Sequence, residues 1–282
     1  MNFTSHLNFA NPELMENASP DELEQFMQTR MGVPMTIHDA REKLGVLAHP
    51  VDSIALLADG AGFLLVNSPS AVEDWTNEKE VAAHYYKESQ ALLQQLLPGA
   101  EVPPLTNHTY RNEEITGHTW VDGIQHGPPA PAVHNDYADF VGDDGISVTK
   151  KFTEVIGLAT DRRVLGINIW RSVTPAPLER LPLAVCDRTS IDPHDLEYNL
   201  NPNAPTPFNG HFCKPNQTQH WSYYSHMTRD ESLVFTTYDS HPNNGKAFCP
   251  TLHTAVPIPG SEGLEPRHSV EVRFFATLPM PT

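Results

Sequence analysis

The 282-residue sequence predicts an α+β fold, a β sandwich or barrel with helices packed outside it. Three observations carry that expectation. The chain holds 26 prolines and 16 glycines, so turns are frequent and long helices few. From about residue 160 onward, short β-rich runs alternate with links rich in Pro, Asn and Gly, the pattern of a sandwich or barrel. The helical signals all precede that region.

The elements follow in order. Ser19-Pro20-Asp21-Glu22-Leu23 opens like a helix, with a serine N-cap, proline at the first helical position and acids beside the helix dipole. A longer helix is expected over Glu73–Leu97, where Val81, Tyr85, Leu92, Leu93 and Leu96 fall near helical spacing before Pro98-Gly99 stops it. A third is expected over Ser147–Thr160, with Val148, Phe152, Val155, Ile156 and Leu158 on one side. Strands are expected at Val164–Val173, Leu183–Cys186, His220–Tyr224, Leu233–Tyr238, Leu252–Val256 and Ser269–Thr277. No repeat and no sharp composition break divides the chain. It reads as one domain over 1–282, with residues 1–100 a mainly helical N-terminal elaboration and a β core from about 101 to 282.

Charge and composition exclude several functions. Acidic side chains number 35 against 18 basic, a net charge of −17. Phosphate backbones and anionic membranes need concentrated Lys and Arg, so neither nucleic acid nor a membrane is an expected partner. The longest apolar stretch, Ser53 to Val72, is broken by Asp59, Gly60 and Gly62 and does not read as a bilayer span. The opening MNFTSHLNFA has neither the basic nor the apolar region of a secretory signal. Cys186, Cys213 and Cys249 are few and far apart, which argues for a reducing compartment and against a disulfide framework or structural zinc. A cytoplasmic protein is expected. No GxSxG elbow, GxGxxG loop, P-loop or HExxH motif occurs, so covalent hydrolysis, motif-based nucleotide binding and a protease-type zinc centre are all poorly supported.

His134-Asn135-Asp136 is the first candidate for chemistry. In an extended strand residues i and i+2 share a face, so an imidazole and a carboxylate can converge on one cation. The pair is two thirds of a 2-His-1-carboxylate triad, the donor set that leaves Fe(II) three open positions. Random placement yields about one such pair in a chain of this composition, so the spacing alone decides little. A third ligand has to come from a distant strand. His253 sits in the strand-like Thr251-Leu252-His253-Thr254-Ala255 and is followed by Arg267-His268-Ser269-Val270-Glu271-Val272-Arg273, whose alternation puts Arg267, Ser269, Glu271 and Arg273 on one face. A guanidinium fork beside a hydroxyl suits a carboxylate such as the distal end of 2-oxoglutarate. The ordinary alternative is a surface arginine after a loop.

At these residues the chain resembles the CmcJ/AsaB-type hydroxylase/desaturase family of fungal secondary metabolism. The matching stretches are Ala132–Tyr137, Asn168–Arg171, Pro182–Asp187, Tyr238–Ser240, His253–Ala255 and Pro266–Arg273, and the resemblance covers about residues 100 to 277. It implies a double-stranded β-helix (a cupin-like jelly roll) with flanking helices. The activity implied is that of an Fe(II)/2-oxoglutarate-dependent dioxygenase using O2 as co-substrate. On that match His134, Asp136 and His253 take the metal-ligand positions and Arg267, with Ser269 beside it, the 2-oxoglutarate position.

Arg273 competes with Arg267 for the co-substrate, or else is buried as a partner for Glu271 or another acid. Arg171 is read either as holding a substrate carboxylate or as bridging Asp187 within the fold, and Trp170 as a substrate contact. Tyr223, Tyr224 and Met227 are candidates to line the pocket, with core packing as the ordinary alternative. His118, His126, His194, His211, His220, His226 and His241 are read as surface or packing residues. The expected reaction is hydroxylation, desaturation or oxidative cyclisation at a C–H bond of a small metabolite, by a monomer or homodimer. The competing readings are a cupin-like isomerase or hydrolase on the same three ligands, and a catalytically silent binding protein.

Overall fold

The computed structural model describes residues 1–10, 31–46, 53–138, 161–199, 209–242 and 248–280. The helices expected from Ser19 and over Ser147–Thr160 lie outside the described residues. The other long helix is α2, Glu78–Leu96; the short α1 is Ala40–Leu44. α2 starts later than expected because Asn77 caps it: its side chain accepts from the Glu80 backbone N–H, and Glu78 and Glu80 fill the first turn. Glu80 also reaches back to the Glu73 N–H at 2.6 Å, which holds residues 73–77 outside the helix. Among the described residues no helix is long and apolar enough to cross a membrane.

Among the described residues, fifteen strands form two facing sheets of the jelly-roll type expected. The first sheet contains β1 (Phe3–Phe9), β2 (Met31–Asp39), β7 (His134–Ala138), β9 (Leu183–Cys186), β10 (Leu196–Asn199), β11 (Asn209–Cys213), β12 (Trp221–Tyr223) and β14 (His253–Ala255). Their order is β1-β2-β12-β9-β14-β7-β11-β10. The second contains β3 (Phe63–Asn67), β4 (Thr109–Asn112), β5 (Thr119–Val121), β6 (Ile124–Gly127), β8 (Arg163–Ser172), β13 (Glu231–Asp239) and β15 (His268–Leu278), in the order β3-β13-β8-β15-β4-β6-β5. All six strands expected after residue 160 are present, within one or two residues of their predicted ends.

The first hundred residues hold both of the described α-helices, but they are more than a helical elaboration. β1 and β2 pair antiparallel and extend one edge of the first sheet, and β3 closes an edge of the second. Leu7, Phe9, Met35 and Ile37 alternate with more exposed neighbours and bury their side chains with Trp221 and Cys186, a period-two pattern that pairs better than it coils.

The central pairing is β8 with β15, antiparallel from Ser269↔Ser172 to Leu278↔Arg163. Every residue of β8 is buried, because both faces are covered. Leu165, Ile167 and Ile169, with Val270, Val272 and Phe274 of β15, pack under Val81, Tyr85, Leu93 and Leu96 of α2. At about 25 cal/mol per Å2 of apolar surface removed from water, such a layer supplies much of the fold's stability. The alternate residues, Asn168, Trp170, Ser269, Glu271 and Arg273, therefore project between the sheets. There the chain places its polar groups.

Candidate metal centre and adjoining recess

β7 is extended, so His134 and Asp136 point to the same side. β14 runs antiparallel beside it with His253 directly opposite His134, and the two imidazole rings sit 4.4 Å apart between centroids. His134 Nδ1 lies 2.8 Å from the Ala132 carbonyl and His253 Nδ1 3.2 Å from the Thr251 carbonyl. A carbonyl only accepts, so both Nδ1 atoms carry the proton and donate it. Each Nε2 lone pair is left facing Asp136. Asp136 Oδ1 is 3.8 Å from His134 Nε2, and its Oδ2 is 3.9 Å from His253 Nε2. These separations exceed hydrogen-bond length, and the ligand atoms of all three residues lie within 4.8 Å of one another.

The electrostatics suit a cation. Burial, with the neighbouring His253, pushes His134 down to about 4, and burial also lowers His253. Burial alone would raise the Asp136 carboxyl, but Arg273, the two histidines and Asn168 outweigh it and hold it well below the usual carboxylate range. Neutral imidazoles and an ionised carboxylate are the states that ligate metal. Two side chains from the opposite sheet fix the carboxylate: Arg273 Nε donates to Oδ2 at 2.9 Å and Asn168 Nδ2 to the same oxygen at 2.6 Å. A nitrogen–nitrogen–oxygen set with its unprotonated atoms converging fits a ferrous ion.

A recess of about 380 Å3, measured out to its mouth, opens beside this triad and is lined by His134, His253, Trp170, Arg267 and Arg273 among others. Arg267 lies deep in it, 2% exposed. Its Nε donates to Ser269 Oγ at 3.1 Å and its Nη1 to the Leu181 carbonyl at 2.9 Å. Its guanidinium carbon stands 5.0 Å from the centre of the Trp170 ring. Glu113 accepts from the Arg267 backbone N–H but ion-pairs with Arg180. Among the described residues no carboxylate meets the Arg267 guanidinium. Burial, then Arg111, press it down to about 9, which leaves it charged at neutral pH. A buried cation with hydroxyl and carbonyl partners but no anion is a receptor for an anion.

The structure brings His134, Asp136, His253, Arg267, Ser269 and Trp170 together, and it separates two of the predicted residues from them. Arg171 does not reach the recess. It projects from the opposite face of β8, stacked 5.6 Å from the Trp75 ring centre and 5.1 Å from that of Tyr85. Its guanidinium donates to the carbonyls of Ser68 and Arg229, so it neither holds substrate nor bridges Asp187. Tyr224 is 1% exposed and packs edge-on against Phe63 with Met227 and Phe235; it is core. Asn168, Thr109 and Arg111 were not anticipated. A lone asparagine inside the apolar run Val164–Trp170 was the available signal, since a buried amide needs partners.

The comparisons agree with the geometry. A family model described as an oxidoreductase/YMDC permease-like domain matches residues 1–277. The alpha-ketoglutarate-dependent dioxygenase phiK of Fungal sp. (strain ATCC 74256) is 30% identical over 216 residues, covering 75% of this chain and 76% of that protein. The hydroxylase/desaturase efuI of Hormonema carpetanum is 29% identical over 265 residues, covering 85% and 82%. Among solved structures, the iron and alpha-ketoglutarate-dependent endoperoxidase NvfI superposes with a TM-score of 0.71 at 22% identity, over 99% of this chain and 98% of that one. The chain belongs to the fungal hydroxylase/desaturase family of iron- and 2-oxoglutarate-dependent dioxygenases.

Proposed function

We propose that His134, Asp136 and His253 hold Fe(II), that Arg267 and Ser269 hold the far carboxylate of 2-oxoglutarate, and that the chain oxidises a C–H bond of a small metabolite in secondary metabolism. The outcome is hydroxylation, desaturation or oxidative cyclisation. The observation that carries this reading is the coexistence, in one recess, of a converging His/Asp/His set and a buried guanidinium without an acid partner. Iron with 2-oxoglutarate and O2 supplies the oxidising power to break an unactivated C–H bond. The protein's own part is positional. Arg273 and Asn168 orient Asp136, Nδ1 bonds orient both imidazoles, and Arg267 orients the diacid against the Trp170 face. The apolar walls from Trp170 and Leu183 exclude water. The acidic surface fits neither nucleic acid nor a membrane as partner, and we place the protein in the cytoplasm as a monomer or homodimer.

Succinate release from purified protein given Fe(II), ascorbate, O2 and 2-oxoglutarate tests the reading. Release is expected from the native chain and none from Asp136→Ala. Turnover of a metabolite with zinc or manganese and no keto acid would instead favour a cupin-like isomerase or hydrolase. Nothing in the recess favours that alternative, which leaves Arg267 without an anion.

A further inference from the structure

The wall of the recess carries three guanidiniums, of Arg111, Arg267 and Arg273, and one carboxylate, of Glu271. The Asp136 carboxylate of the triad meets Arg273 beside it. Both acids belong to Arg273: its Nε meets Asp136 Oδ2 at 2.9 Å and its Nη2 meets Glu271 Oε1 at 2.5 Å. Arg267 and Arg111 are left over. Resting on the oxygenase reading, the keto acid satisfies one of them. One end of 2-oxoglutarate chelates the metal, and its remaining carboxylate suits Arg267 with the Ser269 hydroxyl beside it. No carboxylate of the co-substrate remains for Arg111.

Arg111 sits on β4 opposite Ser269 of β15, so its side chain joins the same face of the sheet. Its contacts are weak and uncharged. Nη1 lies 3.3 Å from His118 Nδ1, and Nη2 is 3.5 Å from Gln125 Oε1. Burial and Arg111 itself both lower His118, so that ring is neutral at neutral pH. On the neighbouring strand β6, Gly127 pairs with Arg111. A Cβ built there would stand 3.0 Å from Arg111 Nη1 and 2.3 Å from His118 Nδ1, so the missing side chain makes the room that the guanidinium occupies. Burial disfavours its charge, as does Arg273, and Glu271 and Asp136 offset this only in part and without contact; an anion delivered from outside relieves the remainder.

We infer that Arg111 is the specificity-determining residue of this site, and that the metabolite oxidised here carries a carboxylate which Arg111 binds. The guanidinium beside Gly127, held by two long neutral contacts and in ion-pair contact with no carboxylate among the described residues, carries the inference. The C–H bond attacked then lies on the apolar part of an organic acid, held between the Arg111 clamp and the triad.

Arginine labelling by phenylglyoxal, mapped peptide by peptide on the manganese-loaded full chain, tests this without turnover. Saturating 2-oxoglutarate should protect Arg267 and leave Arg111 reactive. Benzoate added to that complex should then slow Arg111 labelling, whereas uncharged benzamide at the same concentration should not. In R111Q, benzoate affinity by calorimetry should fall about tenfold, the loss expected for one charge-assisted pair, with 2-oxoglutarate affinity unchanged. Protection of Arg111 by 2-oxoglutarate alone, or equal effects of benzoate and benzamide, would overturn the proposal. Failure of 2-oxoglutarate to protect Arg267 would sink the oxygenase reading on which it rests. The labelling arm uses the native chain, so a misfolded variant does not obscure it.

Discussion

Arg267 immediately precedes β15 and Arg273 lies within it, both lining the same recess, yet only Arg273 is tied to carboxylates. Arg273 therefore serves the triad, and Arg267 is the residue open to an incoming acid. Arg267→Ala should raise KM for 2-oxoglutarate by about 10- to 100-fold, the 1.5–3 kcal/mol of a charged hydrogen-bond pair. Manganese affinity, read by calorimetry, should stay within about twofold of the native value. Arg267→Lys should recover part of the loss, because an ammonium keeps the charge without the fork. Loss of metal in Arg267→Ala would show that the arginine supports the ligands instead.

Arg273→Gln should produce the converse pattern. Asp136 Oδ2 would keep its Asn168 donor at 2.6 Å but lose its nearest cation, and Glu271 would be left buried without its ion-pair partner. Outer partners of metal ligands are worth about 10- to 100-fold in affinity, so manganese binding should weaken by that much. Competition with a chelating dye measures it. An unchanged metal affinity would mean that Asn168 alone suffices to orient the carboxylate.

The triad was legible because strand periodicity puts His134 and Asp136 on one face and family motifs point to His253. Its closure was not legible: that His253 stands opposite His134 depends on strand order in a sheet assembled from both ends of the chain. Arg171 shows why side-chain direction was harder. Strand alternation sets Ile167, Ile169 and Arg171 against Asn168 and Trp170, but β8 is buried on both faces, so hydrophobicity could not say which face looks inward. Only the position of α2 decides that. The N-terminal strands were passed over for a related reason. Leu7, Phe9, Met35 and Ile37 alternate over short spans, and the strand that joins their hairpin to the rest of the sheet, β12, lies far along the sequence.

Arg171 should matter to stability rather than to catalysis. The side chain fills the space between Trp75 and Tyr85 and satisfies the Ser68 carbonyl. Arg171→Ala should cost about 3–5 kcal/mol by combining a cavity with unpaired buried carbonyls. Urea unfolding reads the loss. In the folded fraction, KM for 2-oxoglutarate should not change. A stable variant with altered co-substrate binding would contradict the placement of Arg171 on the α2 face.

Acid should destabilise the fold partly through His211, which is 6% exposed and opposite Asn135 in the pairing of β11 with β7. Burial pushes its imidazole down to about 4, and the Tyr137 backbone offsets only a little of that. The unfolded chain binds the proton near pH 6.5, so the unfolded state takes up more protons between 6.5 and 4. Stability from this group is thus fully present above pH 6.5 and is lost as pH falls. A depression from about 6.5 to about 4 corresponds to about 3 kcal/mol when complete, of which about 2 kcal/mol should go between pH 7 and 5. Urea midpoints of the native chain and His211→Asn across that interval isolate the effect, since the asparagine cannot titrate. The variant should show the shallower slope, and parallel slopes would mean that His211 is protonated in the folded protein or never buried in its neutral form.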